Sequence, residues 1–211
     1  FLSMTDDNSG SALPGTGNAT GASGYNRLYA PAAFIQFAGF TAGKTGSFFD
    51  FDGQPYSNQY GIWSSNKGGG GIELFAYTAQ FGNGVSATIG LDDPTVFNRT
   101  SLLNLGAGSV FGIPAGGFAT AGANAYGGSH VPDIVGNIRV DQAWGLFQAS
   151  FAAHNNTPGY YGPTELTGKP DDKWGWAGQL ALSIKNIPTG PGDTINVQGV
   201  YTNGATRYNI Q

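Results

Sequence analysis

Along residues 136–154, GNIRVDQAWGLFQASFAAH, bulky apolar and polar positions alternate. Ile138 and Val140 fall on one side, with Asn137, Arg139 and Asp141 on the other. After an apparent turn at Trp144-Gly145, Phe147, Ala149, Phe151 and Ala153 alternate with Leu146, Gln148, Ser150, Ala152 and His154. A repeat of two places successive side chains on opposite faces of a strand, so the stretch predicts a β-hairpin with one greasy and one polar face. IELFAYTAQFGNGVSATIGLDD repeats the pattern more cleanly. Phe75, Tyr77, Ala79 and Phe81 share one face, and Leu74, Ala76, Thr78 and Gln80 share the other. Asn83-Gly84 is the dipeptide that tight hairpins favour. Beyond it Val85, Ala87, Ile89 and Leu91 alternate with Ser86, Thr88, Gly90 and Asp92.

The rest of the chain follows suit. In KWGWAGQLALSIK, Trp174, Trp176, Leu180, Leu182 and Ile184 oppose Lys173, Gln179, Ser183 and Lys185, and TINVQGVYT follows after a turn. LYAPAAFIQFAGFT, residues 28–41, predicts a single strand apolar on both faces, with Phe34, Ala38 and Phe40 opposite Ile35, Phe37 and Gly39. Such a strand is expected to be buried on both sides. An AGKTG turn then leads to SFFDF, residues 47–51, as a further strand, while residues 1–27 read as a polar loop. The sum is about eight strands and no helix. Their connections alternate between long and tight, which gives the meander one elaborate rim and one plain rim. Outer-membrane barrels have that habit, whereas a Greek-key sandwich has no reason for it.

Alternation alone does not say which face meets the solvent. A soluble sandwich buries its apolar face, and a membrane barrel turns it to lipid. Composition decides between them. Charged residues are 10% of the chain, against roughly 25% in ordinary soluble domains. The polar faces offer mostly Thr, Ser, Gly, Gln, Asn and Ala, which can line water inside a channel but supply little charge for a soluble surface. No run approaches the ~20 apolar residues of a spanning helix, and the clean strands have about the ten residues a tilted strand needs to cross hydrocarbon.

Other classes fall away. There is no cysteine, so neither a disulfide framework nor a Cys-based metal site exists. A net charge of −4 disfavours a nucleic-acid partner. The opening FLSMTDDNSG has no basic start or apolar core of a signal peptide, as in a mature product or a chain whose ends are missing. His130 and His154 lack neighbours at metal-ligand spacing, no Gly-x-Ser-x-Gly elbow occurs, and Gly68–Gly71 lacks the Lys-Ser/Thr of a phosphate loop. No enzyme activity and no cofactor are expected.

Four segments, PDIVGNIRVDQAWG, AFIQFAGFT with SFFDF, LFAYTAQFGNGVSATIGLDD and DKWGWAGQLALSIK, resemble stretches of the alphaproteobacterial (rhizobial-type) general porins, in the family's order from about residue 28 to 201. The resemblance implies an all-β fold: a transmembrane antiparallel up-and-down β-barrel of the 16-stranded porin type, with about eight strands represented here. It implies a homotrimer in a bacterial outer membrane, in contact with lipid and lipopolysaccharide, passing ions and small hydrophilic solutes passively. Residues 1–211 would be part of one barrel domain: 28–51 near the trimer contact, 92–133 an inward-folded constriction loop, and 134–202 wall strands. A half-barrel with open edges would not survive in lipid, so a longer polypeptide is expected.

The expected pore-lining or constriction residues are Asp92, Asp93, Arg99, Asp133, Asn137, Arg139, Asp141 and Gln179. For Asp92, Asp93 and Arg99 a role as solvated turn residues stands beside this one, and for Arg139 and Asp141 an ordinary surface salt bridge does. The expected lipid-facing residues are Phe75, Tyr77, Phe81, Phe147, Phe151, Trp174 and Trp176. The family sets acidic residues on its constriction loop against basic residues on the wall, yet residues 100–132 carry no formal charge apart from His130 if protonated. A strongly charged eyelet is therefore not expected from that loop. The alternative function is a secreted, Gly-rich all-β binding or adhesion module that would dissolve without detergent.

Overall fold

The computed structural model describes residues 3–5, 27–29, 32–51, 71–95, 127–161, 164–190 and 192–209. Strands β1 (Ser3–Thr5), in what reads from sequence as a polar loop, and β2 (Arg27–Tyr29), at the boundary between that loop and the expected strand, pair as a short antiparallel ribbon. The other strands form one sheet: β3 (Ala33–Phe37), β4 (Phe40–Thr45), β5 (Ile72–Gly82), β6 (Val85–Asp92), β7 (Asp133–Gln142), β8 (Gly145–Asn156), β9 (Lys173–Lys185) and β10 (Thr194–Asn203). Each pairs antiparallel with the next in sequence, so this eight-stranded sheet is an up-and-down meander. The fold is all-β, of the kind that closes into a barrel. Among the described strands, β3 and β10 remain its edges.

Short turns join the strands at one rim and long connections leave at the other. The β5–β6 turn is Asn83-Gly84, with both φ angles positive (48° and 71°), as a hairpin turn matched to strand twist requires. A Cβ on Gly84 would run into the Asp141 carbonyl oxygen on β7. Gly84→Ala should therefore cost well over the ~1 kcal/mol of an ordinary Gly-to-Ala misfit at positive φ. Urea unfolding of the refolded protein in lipid vesicles would register this as a lowered midpoint.

Four expectations need correction. Residues 28–41 are not one strand. Ala38 and Gly39 turn the chain with φ of 51° and 87°, and Phe37 pairs directly with Phe40. The pair β3–β4 is thus a hairpin, and β3 is exposed rather than buried on both sides. The stretch read as an AGKTG turn lies largely within β4. SFFDF is not a strand: Asp50 N–H donates to the Ser47 carbonyl (3.1 Å) and Phe49 N–H to Ser47 Oγ (3.1 Å), closing a turn. The β7–β8 turn falls on Ala143 and Trp144, one residue earlier than expected.

The two faces differ sharply. One carries exposed Phe75, Tyr77, Phe81, Ile89, Ile138, Phe151, Trp176, Leu180 and Tyr201, with Ile89 65% and Leu180 62% exposed. Phe40 stacks on Phe75 (5.7 Å between ring centroids), and Phe151 stacks on Trp176 (6.5 Å) along this face. Soluble monomers rarely expose contiguous apolar patches beyond a few hundred Å². The other face holds small and polar residues, among them Thr41, Thr88, Gln148, Ser150, Gln179 and Ser183, all buried. Residues 46–51 cover it. Phe48 packs both against the group Ile72, Leu74 and Ala76 and against the group that contains Val135, Ala152 and Ala177. One short segment can touch β5 and β9 together only if the sheet curves around it. The polar face is therefore concave and the aromatic face convex.

Candidate functional site

The site is the concave face and the segment folded against it. A turn buried away from water must find partners for its backbone carbonyls. The wall strands supply them with side-chain amides. Asn137 Nδ2 donates to the Phe48 carbonyl (2.6 Å), and Gln148 Nε2 donates to the carbonyl of Asp50 (3.0 Å) and, more weakly, to that of Phe49 (3.4 Å). Gln179 Nε2 donates to the Phe49 carbonyl (3.1 Å) while Gln198 Nε2 donates to Gln179 Oε1 (2.9 Å). Amides from β7, β8 and β9 thus grip consecutive carbonyls. Each such bond contributes about 0.5–1.5 kcal/mol net, and leaving a buried partner unsatisfied costs more.

Toward the long-loop rim lies a row of ionisable groups. The register sets Asp92 directly opposite Asp133. Facing carboxylates are unfavourable in a sheet unless compensated. Ser47 Oγ donates to Asp92 Oδ2 (2.5 Å), so the inward segment itself covers one of them. His154 Nδ1 lies 2.7 Å from Asp133 Oδ1, and Tyr208 Oη donates to Asp133 Oδ2 (2.6 Å). Asp133 is 0% exposed and His154 1% exposed, so the group is fully enclosed.

Toward the short-turn rim the concave face opens. A cavity of about 370 Å³ lies between the segment and the wall, lined by Ser47, Phe48, Asp50, Thr78, Ser86, Thr88, Asn137, Arg139 and Gln148. Thr78 and Thr88 hydroxyls meet across β5 and β6 at 2.9 Å. Arg139 stands 3.7 Å from Asp141, which also takes Lys185 Nζ at 3.0 Å. The cavity lining includes one cationic side chain, Arg139, and one acidic one, Asp50.

The expected site residues separate as follows. Asn137, Arg139, Asp141 and Gln179 stand on the concave face together with Asp92, covered by Ser47, and Asp133, covered by His154 and Tyr208. Asp93 sits past the end of β6, its carboxylate accepting from Thr95 N–H (2.8 Å) and Thr95 Oγ1 (2.9 Å), as a turn residue does. Arg99, and residues 96–126 of the expected constriction loop, lie outside the described residues. Phe75, Tyr77, Phe81, Phe147, Phe151, Trp174 and Trp176 are all exposed on the convex face. Sequence reasoning missed Ser47, Phe49, Gln148 and Tyr208, and passed over His154. No helix among the described residues is long and apolar enough to cross a membrane, which does not bear on crossing by strands.

Comparison with known families gives one match: the model of a porin subfamily covers residues 5–211. Neither curated proteins nor solved structures give a significant match.

Proposed function

Because the chain belongs to the porin subfamily, a family of channels rather than enzymes, we propose that it is a passive, water-filled diffusion pore for ions and small hydrophilic solutes in a bacterial outer membrane. One observation carries this: a single curved sheet shows bare aromatic and aliphatic side chains on its convex side and hydrogen-bonded amides and hydroxyls on its concave side. In hydrocarbon the convex residues need no partner, and the strands between β3 and β10 are paired along both sides. The exposed apolar face also speaks against a soluble adhesion module, which would have to hide it.

The narrowing falls on residues 46–51, at the height of Asn137, Gln148 and Gln179. The wall strand from which the expected constriction loop departs ends at Asp92, which Ser47 of that segment contacts. Solutes pass along the cavity flanked by Thr78, Thr88 and Arg139. The edges of β3 and β10 are closed by further strands of the same barrel, because open edges do not persist in lipid. Such closure accords with the 16-stranded, trimeric assembly of the rhizobial-type general porins and with a longer polypeptide.

Planar-bilayer recording tests the proposal. The reconstituted protein should give ohmic current steps, and their absence would refute it. Arg139→Ser should move the reversal potential in a salt gradient toward cation preference, since it removes the cation at the cavity wall while leaving the Asp141–Lys185 pair.

A further inference from the structure

Tyr208 lies beyond the last wall strand, in the turn Thr206–Tyr208, yet it is buried against the concave face. Its ring packs against Phe49 at 4.7 Å between centroids, tilted by 56°. Its hydroxyl donates to Asp133 Oδ2 at 2.6 Å. The turn is itself moored to the wall, because Asn156 Nδ2 on β8 donates to the Gly204 carbonyl at 2.6 Å. Two segments that leave the same rim from strands β4 and β10 therefore meet inside the sheet. One is held along its backbone by wall amides, and the other is held at both ends of a single tyrosine. The wall amides hold the carbonyls of the inward segment, and the ring of Tyr208 is packed on the Phe49 side chain itself.

We propose that Tyr208 is a positioning residue for permeation: anchored by Asp133, it braces the ring of Phe49 and keeps the inward segment at a fixed distance from the wall. This rests on the pore reading above. The brace acts by excluding alternative placements of residues 46–51 and touches no permeating solute. Without its hydroxyl, Tyr208 loses the bond to Asp133 while its ring still fills the space. The segment should then sample displaced positions, and each displacement changes the bore.

The test compares wild type with Tyr208→Phe, both as full chains, in planar bilayers and by hydrogen exchange in lipid vesicles. Tyr208→Phe should keep the main conductance level, while visits to sub-conductance levels rise about five-fold, the population change that follows from losing one buried hydrogen bond. Exchange at the Asp50 amide, which is bonded to the Ser47 carbonyl, should speed up by a similar factor. A purely structural tyrosine would lower the urea midpoint with sub-levels and Asp50 exchange unchanged, and that result overturns the brace while leaving the pore intact. Wild type without any current steps would remove both. A check without a variant is available in wild type: the Asp50 and Tyr208 amides should open as one unit with common protection. Markedly unequal protection would also overturn the brace.

Discussion

Phe151→Arg should destabilise the lipid-inserted protein by about 2–4 kcal/mol, the cost of a cation near the bilayer midplane on an outward barrel face. Phe151 lies in the middle of β8, opposite Gly136 on β7 and Gly178 on β9, and its ring is stacked on Trp176. Its neighbours on the convex face are aliphatic or aromatic, so a guanidinium there finds no anion. It could escape only by reaching a rim, and the mid-strand position makes that reach long. Urea unfolding in phosphatidylcholine vesicles gives the cost directly, with Phe151→Leu as the control that preserves apolar character. If the convex face met water instead, the arginine would cost no more than about 0.5 kcal/mol, as exposed substitutions generally do.

Phe49→Ala should act from the opposite side of the sheet. The ring is 0% exposed and packed among Val135, Ala152, Ala177, Ala205 and Tyr208. Truncation leaves a hole beneath the inward segment and should cost about 3–5 kcal/mol, as for other buried aromatics. The backbone carbonyls that Gln148 and Gln179 hold are untouched, so the segment stays attached while its largest side chain is gone. Single-channel conductance should therefore rise together with the loss of stability. A destabilised protein with wild-type conductance would place the ring away from the permeation path.

The hairpins β5–β6 and β7–β8 were legible because each has one bulky and one small or polar face, so the period of two survives in the letters. Residues 28–41 misled for a physical reason. A two-residue turn switches which parity points outward, from Ile35 and Phe37 before it to Phe40 and Ala42 after it. With Phe34 and Gly43 on the inner side and apolar residues at both parities, that switch looks like one strand greasy on both faces. The Ala38-Gly39 pair was the available signal. SFFDF imitates a strand by composition, but Ser47 caps a turn with its own hydroxyl, and no alternation rule detects that.

The histidine shows how small an error hides a site. Placing the β7–β8 turn one residue late shifts the pairing by two and sets Asp133 against Asn156. With the turn at Ala143 and Trp144, Ile134 pairs with Ala153 and Asp133 falls opposite His154. Tyr208 against Phe49 was out of reach for a different reason: their meeting depends on the curvature of the whole sheet, which no local pattern encodes. The expected constriction after Leu91 came from family order, while the inward segment the structure describes leaves from the preceding long connection.

The chain contains no cysteine, so single cysteines can be placed along β7 and spin-labelled without background. Labels at Ile134, Ile138 and Val140 should be relaxed by oxygen dissolved in the bilayer, and labels at Asn137, Arg139 and Asp141 by a water-soluble nickel chelate or by neither reagent. That two-residue alternation, in phase with the strand, is what a lipid-facing convex surface around an aqueous interior requires. Labels at Ile134, Ile138 and Val140 shielded from bilayer oxygen, as beneath a second protein layer, would contradict it.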